Sequence, residues 1–165
     1  MKSIRIHLLF LFTVLLSRIG VAQQRGLMLQ QQAGKYGFAN HQGSLIVDFK
    51  YSEAREFKEN LAAVKINDKW GFIDTTGREV IKPIYHDVTD FSEGLAGVNT
   101  FSFQMANGGI VTAVIDTTGK VITTGMFYNF SGFQNGIAHY WEGYHFSGKH
   151  IYINKQGKVI KRKKK

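Results

Sequence analysis

Glu53, Glu56 and Glu59 reappear as Asp87, Asp90 and Glu93, each shifted by 34 positions. Paired carboxylates can cleave glycosidic or peptide bonds when unlike surroundings keep one protonated and the other ionised. Two of Glu56, Asp87, Asp90 and Glu93 meeting in one cleft would make the chain a hydrolase of envelope polysaccharide or peptidoglycan. Groups that recur in matched sets, however, have matched surroundings, and a third occurrence carries Asn129, Gly132 and Asn135 instead. They are read as solvated turn or cap residues. No dense oxygen-ligand run with the EF-hand pattern is present for calcium.

Of the histidines, His139, His145 and His150 cluster late in the chain, while His41 and His86 stand apart. On an extended strand His139 and His145 fall on one face, being an even number of positions apart. Two imidazoles lack the third ligand that a zinc site needs, so surface histidine is the reading and no metal or other cofactor is expected. Gly-x-Ser-x-Gly elbows, phosphate-binding glycine loops and His-Glu-x-x-His helices are all missing from the sequence. With no cysteine, thiol catalysis, Cys-ligated zinc, iron–sulfur clusters and disulfides are excluded. The chain reads as non-enzymatic.

Ten aromatic residues lie between Phe101 and Phe146, and from Asn99 to Gly148 only Asp116, Lys120 and Glu142 are charged. Phe101 and Phe103 alternate on one face of a strand, and Tyr140, Trp141 and Tyr144 follow in the same region. These five are the candidate ligand-binding residues, because a low-charge aromatic surface suits a protein partner or a cell-envelope glycan. The opposing reading is that they close a core.

The overall charge points elsewhere, since 21 Lys and Arg against 12 Asp and Glu give a formal +9. Its location decides what it means. Three basic residues (Lys2, Arg5, Arg18) lie near the N-terminus, and residues 155–165 hold seven with no acid. The remainder has 11 basic and 12 acidic residues, a net charge of −1. The tail at 161–165 could attract a polyanion electrostatically, but a solvated, frayed terminus is the simpler reading. Single-strand nucleic-acid binders set basic residues among stacked aromatics, which the aromatic stretch lacks. Nucleic acid is therefore not the expected partner.

Residues 1–22 have a basic start, an apolar run at Leu8–Leu16 broken only by Thr13, and small residues at Gly20-Val21-Ala22. That is the layout of a signal peptide cleaved near Ala22. The run is far short of the roughly 20 residues a spanning helix needs. A soluble extracytoplasmic product, periplasmic or secreted and without a transmembrane anchor, is expected.

Almost everything after residues 23–33, read as a lead-in, is repetitive. Tyr36-Gly37-Phe38, Gly43, Phe57 and Leu61-Ala62 match Trp70-Gly71-Phe72, Gly77, Phe91 and Leu95-Ala96 at an offset of 34. A third copy, offset by 42, holds Asp116, Gly119, Phe127, Phe133 and Ile137-Ala138; a shortened fourth, offset by a further 38, includes Asn154 and Gly157. Within a copy, Leu61–Ile66 reads as a strand, Asn67-Asp68 as a two-residue hairpin turn and Trp70–Asp74 as the return strand. Asp74-Thr75-Thr76-Gly77 is a second turn and Arg78–Ile81 a third short strand, with Pro83 just beyond it. Phe91 plugs the gap between units. The second and third hairpins are longer than the first by 8 and 4 residues, even increments per arm that keep each side chain on its face. Turns at Asn107-Gly108-Gly109 and Ser147-Gly148 would close them. No apolar 3.6-residue period appears after Gln30.

The Trp70–Asp74 core, the Thr-Gly turn, Ile81-Lys82-Pro83-Ile84-Tyr85 and Phe91–Ala96 strongly resemble the WG-repeat family, mostly bacterial proteins of tandem β-rich units. The resemblance runs from about Gly34 to Ile160, with Thr112-Ala113 and His150-Ile151 at the Trp-Gly positions of the later copies. It implies an interaction or structural module without assigned catalysis. Tyr36, Gly37, Gly43, Phe57, Trp70, Gly71, Asp74, Gly77, Phe91, Asp116, Gly119, Phe133 and Gly157 are then the repeat scaffold. The expected fold is all-β: a tandem array of β-meander repeats of about 34–42 residues, with units near 34–67, 68–106, 107–147 and 148–160 and a basic tail at 161–165. A meander cannot bury its own face, so the units must stack, and a low unit count favours an open array over a closed propeller.

Overall fold

A computed structural model describes residues 26–100, 110–142 and 149–163. They form fourteen strands and no helix. The first three are β1 (Met28–Gln32), β2 (Lys35–Ala39) and β3 (Leu45–Tyr51), which make one sheet. The next four, β4 (Glu53–Ala54), β5 (Leu61–Ile66), β6 (Lys69–Asp74) and β7 (Glu79–Tyr85), make the second. The remaining seven lie in chain order in the third: β8 (Asp87–Val88), β9 (Leu95–Asn99), β10 (Ile110–Asp116), β11 (Val121–Tyr128), β12 (Ile137–Glu142), β13 (Lys149–Asn154) and β14 (Val159–Lys163). Neighbouring strands are antiparallel throughout, and no sheet closes into a barrel. The all-β tandem stack expected from the sequence is what forms; counted by strands, its first to fourth units are β1–β3, β4–β7, β8–β11 and β12–β14.

Strand periodicity explains the stacking. On β5, Ala62 and Val64 face the first sheet and share a core with Phe38, Val47, Tyr51 and Ile73. Leu61 and Ala63 point the other way, into a core with Trp70, Phe72, Ile81, Tyr85, Val88, Phe91 and the inner residues of β9 and β10. A third core joins Leu95, Val111, Val114, Phe127 and Phe133 to Ala138, Ile151 and Ile153 of the last unit. Side chains alternate along a strand, so a sheet covered on both faces must be apolar at consecutive positions. Leu61-Ala62-Ala63-Val64 meets that requirement, all four being buried.

Phe57 packs against the first core and Phe91 is buried in the second. Their rings meet Phe38 and Phe72 edge-on, at centroid distances of 4.9 and 4.7 Å.

Three local expectations change. Met28–Gln32, within the lead-in, is a strand that pairs with β2 through a tight turn at Ala33-Gly34. The third strand of the unit continues through Pro83 to Tyr85 instead of ending at Ile81. Proline is tolerated there because the ladder is bulged: Trp70 pairs with Tyr85 and Phe72 with Ile81, leaving three residues opposite Gly71. Finally, Lys161, Arg162 and Lys163 belong to β14 and pair with β13, so this part of the basic tail is sheet.

Candidate functional site

The motif glycine serves that bulge. A β-carbon on Gly71 would lie 2.5 Å from the Ile81 carbonyl oxygen and 2.6 Å from the Pro83 nitrogen. On Gly37 it would meet the Val47 oxygen at 2.5 Å, beside an identical three-residue bulge between Val47 and Tyr51. Where Ala113 replaces the glycine, only Gly125 and Met126 remain opposite Thr112. Where Ile151 replaces it, the ladder from His150 to Tyr152 is regular. Trp70 itself is buried, with the Arg55 guanidinium 4.7 Å from its ring centroid and the Lys65 ammonium 5.8 Å away.

Each second turn is held by one oxygen. Asp74 Oδ1 accepts from the Thr76 and Arg78 amides and the Thr76 hydroxyl, and Asp116 Oδ1 does the same with Thr118 and Lys120. Asn40 and Asn154 accept the equivalent pair of amide bonds without a charge. Hydrogen bonds to the ionised form, that from the Thr76 hydroxyl foremost, lower the Asp74 pKa to about 2. The Thr118 hydroxyl lowers Asp116 likewise. Burial pushes the Tyr85 phenol up. The turn glycines also press on the preceding unit: β-carbons at Gly77 and Gly119 would reach Val47 at 2.8 Å and Ile81 at 3.4 Å, and one at Gly157 would clash with Thr123. Around Gly43, in the first unit, the space is open.

The recurring carboxylates are not simply solvated. Glu59 accepts the Glu93 and Gly94 amides at 2.6 and 2.7 Å, and Glu93 in turn accepts the Gly136 amide at 2.8 Å. Glu59 and Glu93 thus each clamp the corresponding turn of the next unit. Ser92 adds a hydroxyl bond to the Phe133 carbonyl across the same interface. Asp87 and Asp90 each lie 3.5 Å from the Arg55 guanidinium, which also donates to the Val88 carbonyl at 2.8 Å. Glu56 is exposed. Among the described residues no three His, Cys, Asp or Glu side chains gather as a metal site.

The aromatic candidates separate. Phe101, Phe103 and Tyr144 lie outside the described residues, as do His145 and both hairpin extensions. Tyr140 and Trp141 are neighbours on β12 and point oppositely. Tyr140 packs inward, its ring 4.7 Å from that of Phe127. Trp141 lies on the outer face, its ring centroid 3.7 Å from that of His150. Cross-strand pairing of His139 with Tyr152 and Trp141 with His150 completes a patch of four half-buried rings. His139 lies 5.9 Å from Tyr152 and 6.1 Å from His150. In the second unit the matching positions, Ala63, Lys65, Trp70 and Phe72, lie on the face that the third unit covers. In the fourth the four positions are half-buried.

Of this patch the sequence singled out Trp141 as a candidate, whereas His139 and His150 were read as surface histidines. Tyr152 was missed as a functional residue because it stands at a scaffold position. A count of units would have marked it as facing outward from the last one.

A protein-family model for the WG containing repeat matches residues 36–70, 70–100 and 114–138. Among curated proteins and solved structures, none matches the chain. With the Trp-Gly bulge, the Asx turn and the plugging phenylalanine repeating through stacked meanders, and more than half of its residues matched, the chain belongs to the WG containing repeat family.

Proposed function

We propose that the protein is an exported, non-catalytic repeat module that binds a protein or an envelope ligand at the C-terminal end of its array. The observation that carries this reading is the patch of His139, Trp141, His150 and Tyr152 on the outer face of the last unit. Half-buried aromatic residues with polar atoms supply large contact area at low ordering cost and are enriched at binding surfaces. The non-catalytic part rests on the carboxylates: Asp87 and Asp90 face Arg55, while Glu59 and Glu93 grip backbone amides. Such groups have fixed structural partners in place of the unlike environments that acid–base pairs require. Export rests on the layout of residues 1–22.

The test is affinity capture from the native envelope fraction, with purified protein as bait. Trp141→Ala combined with Tyr152→Leu should abolish capture while thermal melting stays unchanged. Undiminished capture by that variant would remove the terminal patch as the site.

A further inference from the structure

We propose that the outer face of the last unit is a binding site for an anionic polysaccharide, one bearing uronic-acid or phosphate groups. The inference rests on the binding-module reading above and deepens it. Its basis is the assembly of two features that the sequence keeps apart. The aromatic stretch has almost no basic residues, and the basic run has no aromatics. Pairing of β13 with β14 brings them together: Lys161 is opposite Tyr152, and Lys163 is opposite His150. Directly opposed residues share a sheet face, so Lys161 and Lys163 fall on the face that carries the four rings.

The residue types fit such a ligand. The rings offer apolar surface to the C–H face of a sugar, and His139, His150 and the Tyr152 hydroxyl offer hydrogen bonds to its hydroxyl groups. Lys161 and Lys163 stand two residues apart on β14, about 7 Å along the strand. The register positions from Ile137 through Trp141, His150 through Asn154 and Val159 through Lys163 carry no acid, and Glu142, the next position on β12, is opposite Lys149. A polyanion is therefore drawn to the face, and a second copy presenting the same lysines is repelled. A neutral glycan would leave the charge unused. Between the polyanions, a polysaccharide is favoured over single-stranded nucleic acid because export is expected to deliver the protein to the envelope.

Titration of the full-length protein with polygalacturonate, followed by calorimetry, tests the proposal against two comparators, neutral dextran and an oligo-deoxythymidine. Binding to polygalacturonate and none to dextran is expected. Lys161→Ala with Lys163→Ala should weaken it about tenfold, as the loss of two exposed ion pairs would. His139→Ala with Tyr152→Leu should weaken it comparably without lowering the melting temperature. Lys35→Ala with Lys50→Ala, at the opposite end of the array, should leave it unchanged. Tighter binding of oligo-deoxythymidine, equal losses in both lysine pairs, or no binding to polygalacturonate would each overturn the proposal. Envelope capture that persists in the Lys161→Ala, Lys163→Ala variant would also overturn it, yet leave the binding-module reading intact.

Discussion

The second and fourth units follow the same path of strand, tight turn, strand, Asx turn and strand, but they treat the middle of that path differently. In the second unit Gly71 lets three residues of β7 bulge against the backbone of β6, and the buried Trp70 ring is roofed by Arg55 and Lys65. In the fourth, Ile151 fills the same position, the ladder is regular and His150 stands where the tryptophan would be. The third unit is intermediate, with Ala113 and a smaller bulge. The gradation teaches that the Trp-Gly pair is a packing device for a sheet covered on both sides. A unit at the end of the array can dispense with it.

Breaking the comparison at its strongest point should have the largest effect. Gly71→Val drives side-chain atoms into the carbonyl of Ile81 and should cost about 3 kcal/mol in urea unfolding. Ala113→Gly, by contrast, enters a site that has already adapted and should cost no more than about 1 kcal/mol, the flexibility penalty of glycine in a strand. Equal losses at the two positions would mean that the bulge does not depend on the glycine.

Removing one inter-unit clamp comes next. Glu59→Ala frees the Glu93 and Gly94 amides to water and should cost about 1.5 kcal/mol, the low end of the range for hydrogen bonds to a charged group because both are exposed. Hydrogen exchange should show the loss concentrated at the Glu93-Gly94 turn. Uniform loss of protection across all the units would contradict a local clamp.

The smallest effect separates the two kinds of Asx turn. The fold holds Asp74 at about 2 against its ordinary 3.8 and lowers Asp116 in the same direction. The folded state therefore binds these protons more weakly than the unfolded chain, and acid removes a stabilisation that is present at neutral pH. The melting temperature should decline as pH falls through the ordinary carboxylate range towards 2. Replacing both aspartates by asparagine, the residue used at positions 40 and 154, should lower the pH 7 melting temperature slightly and flatten that decline.

The repeat was legible because scaffold positions recur in fixed register: Gly37 with Gly71, Phe57 with Phe91, Asp74 with Asp116. Strand order, the tight turns and the plugging phenylalanines followed from the same pattern. Contacts between units were less visible. A carboxylate in a turn reads as solvated until the neighbouring turn is stacked beside it, which is how Glu59 and Glu93 were misjudged. Pro83 reads as a strand end unless the bulge is known. The patch around His139 and Tyr152 depends on which unit is last and on β14 pairing back, both long-range consequences of the fold. Its lysines were assigned to a tail because nothing local distinguishes a basic edge strand from a frayed terminus.

The carboxylate clamps also give the array a direction of growth. Glu59 serves the third unit's turn and Glu93 the fourth's, but at the next equivalent position stands Asn135. A duplicated 34-residue unit spliced in between Glu59 and Glu93 would receive one carboxylate and pass one on, so the chain could lengthen from within using parts it already has.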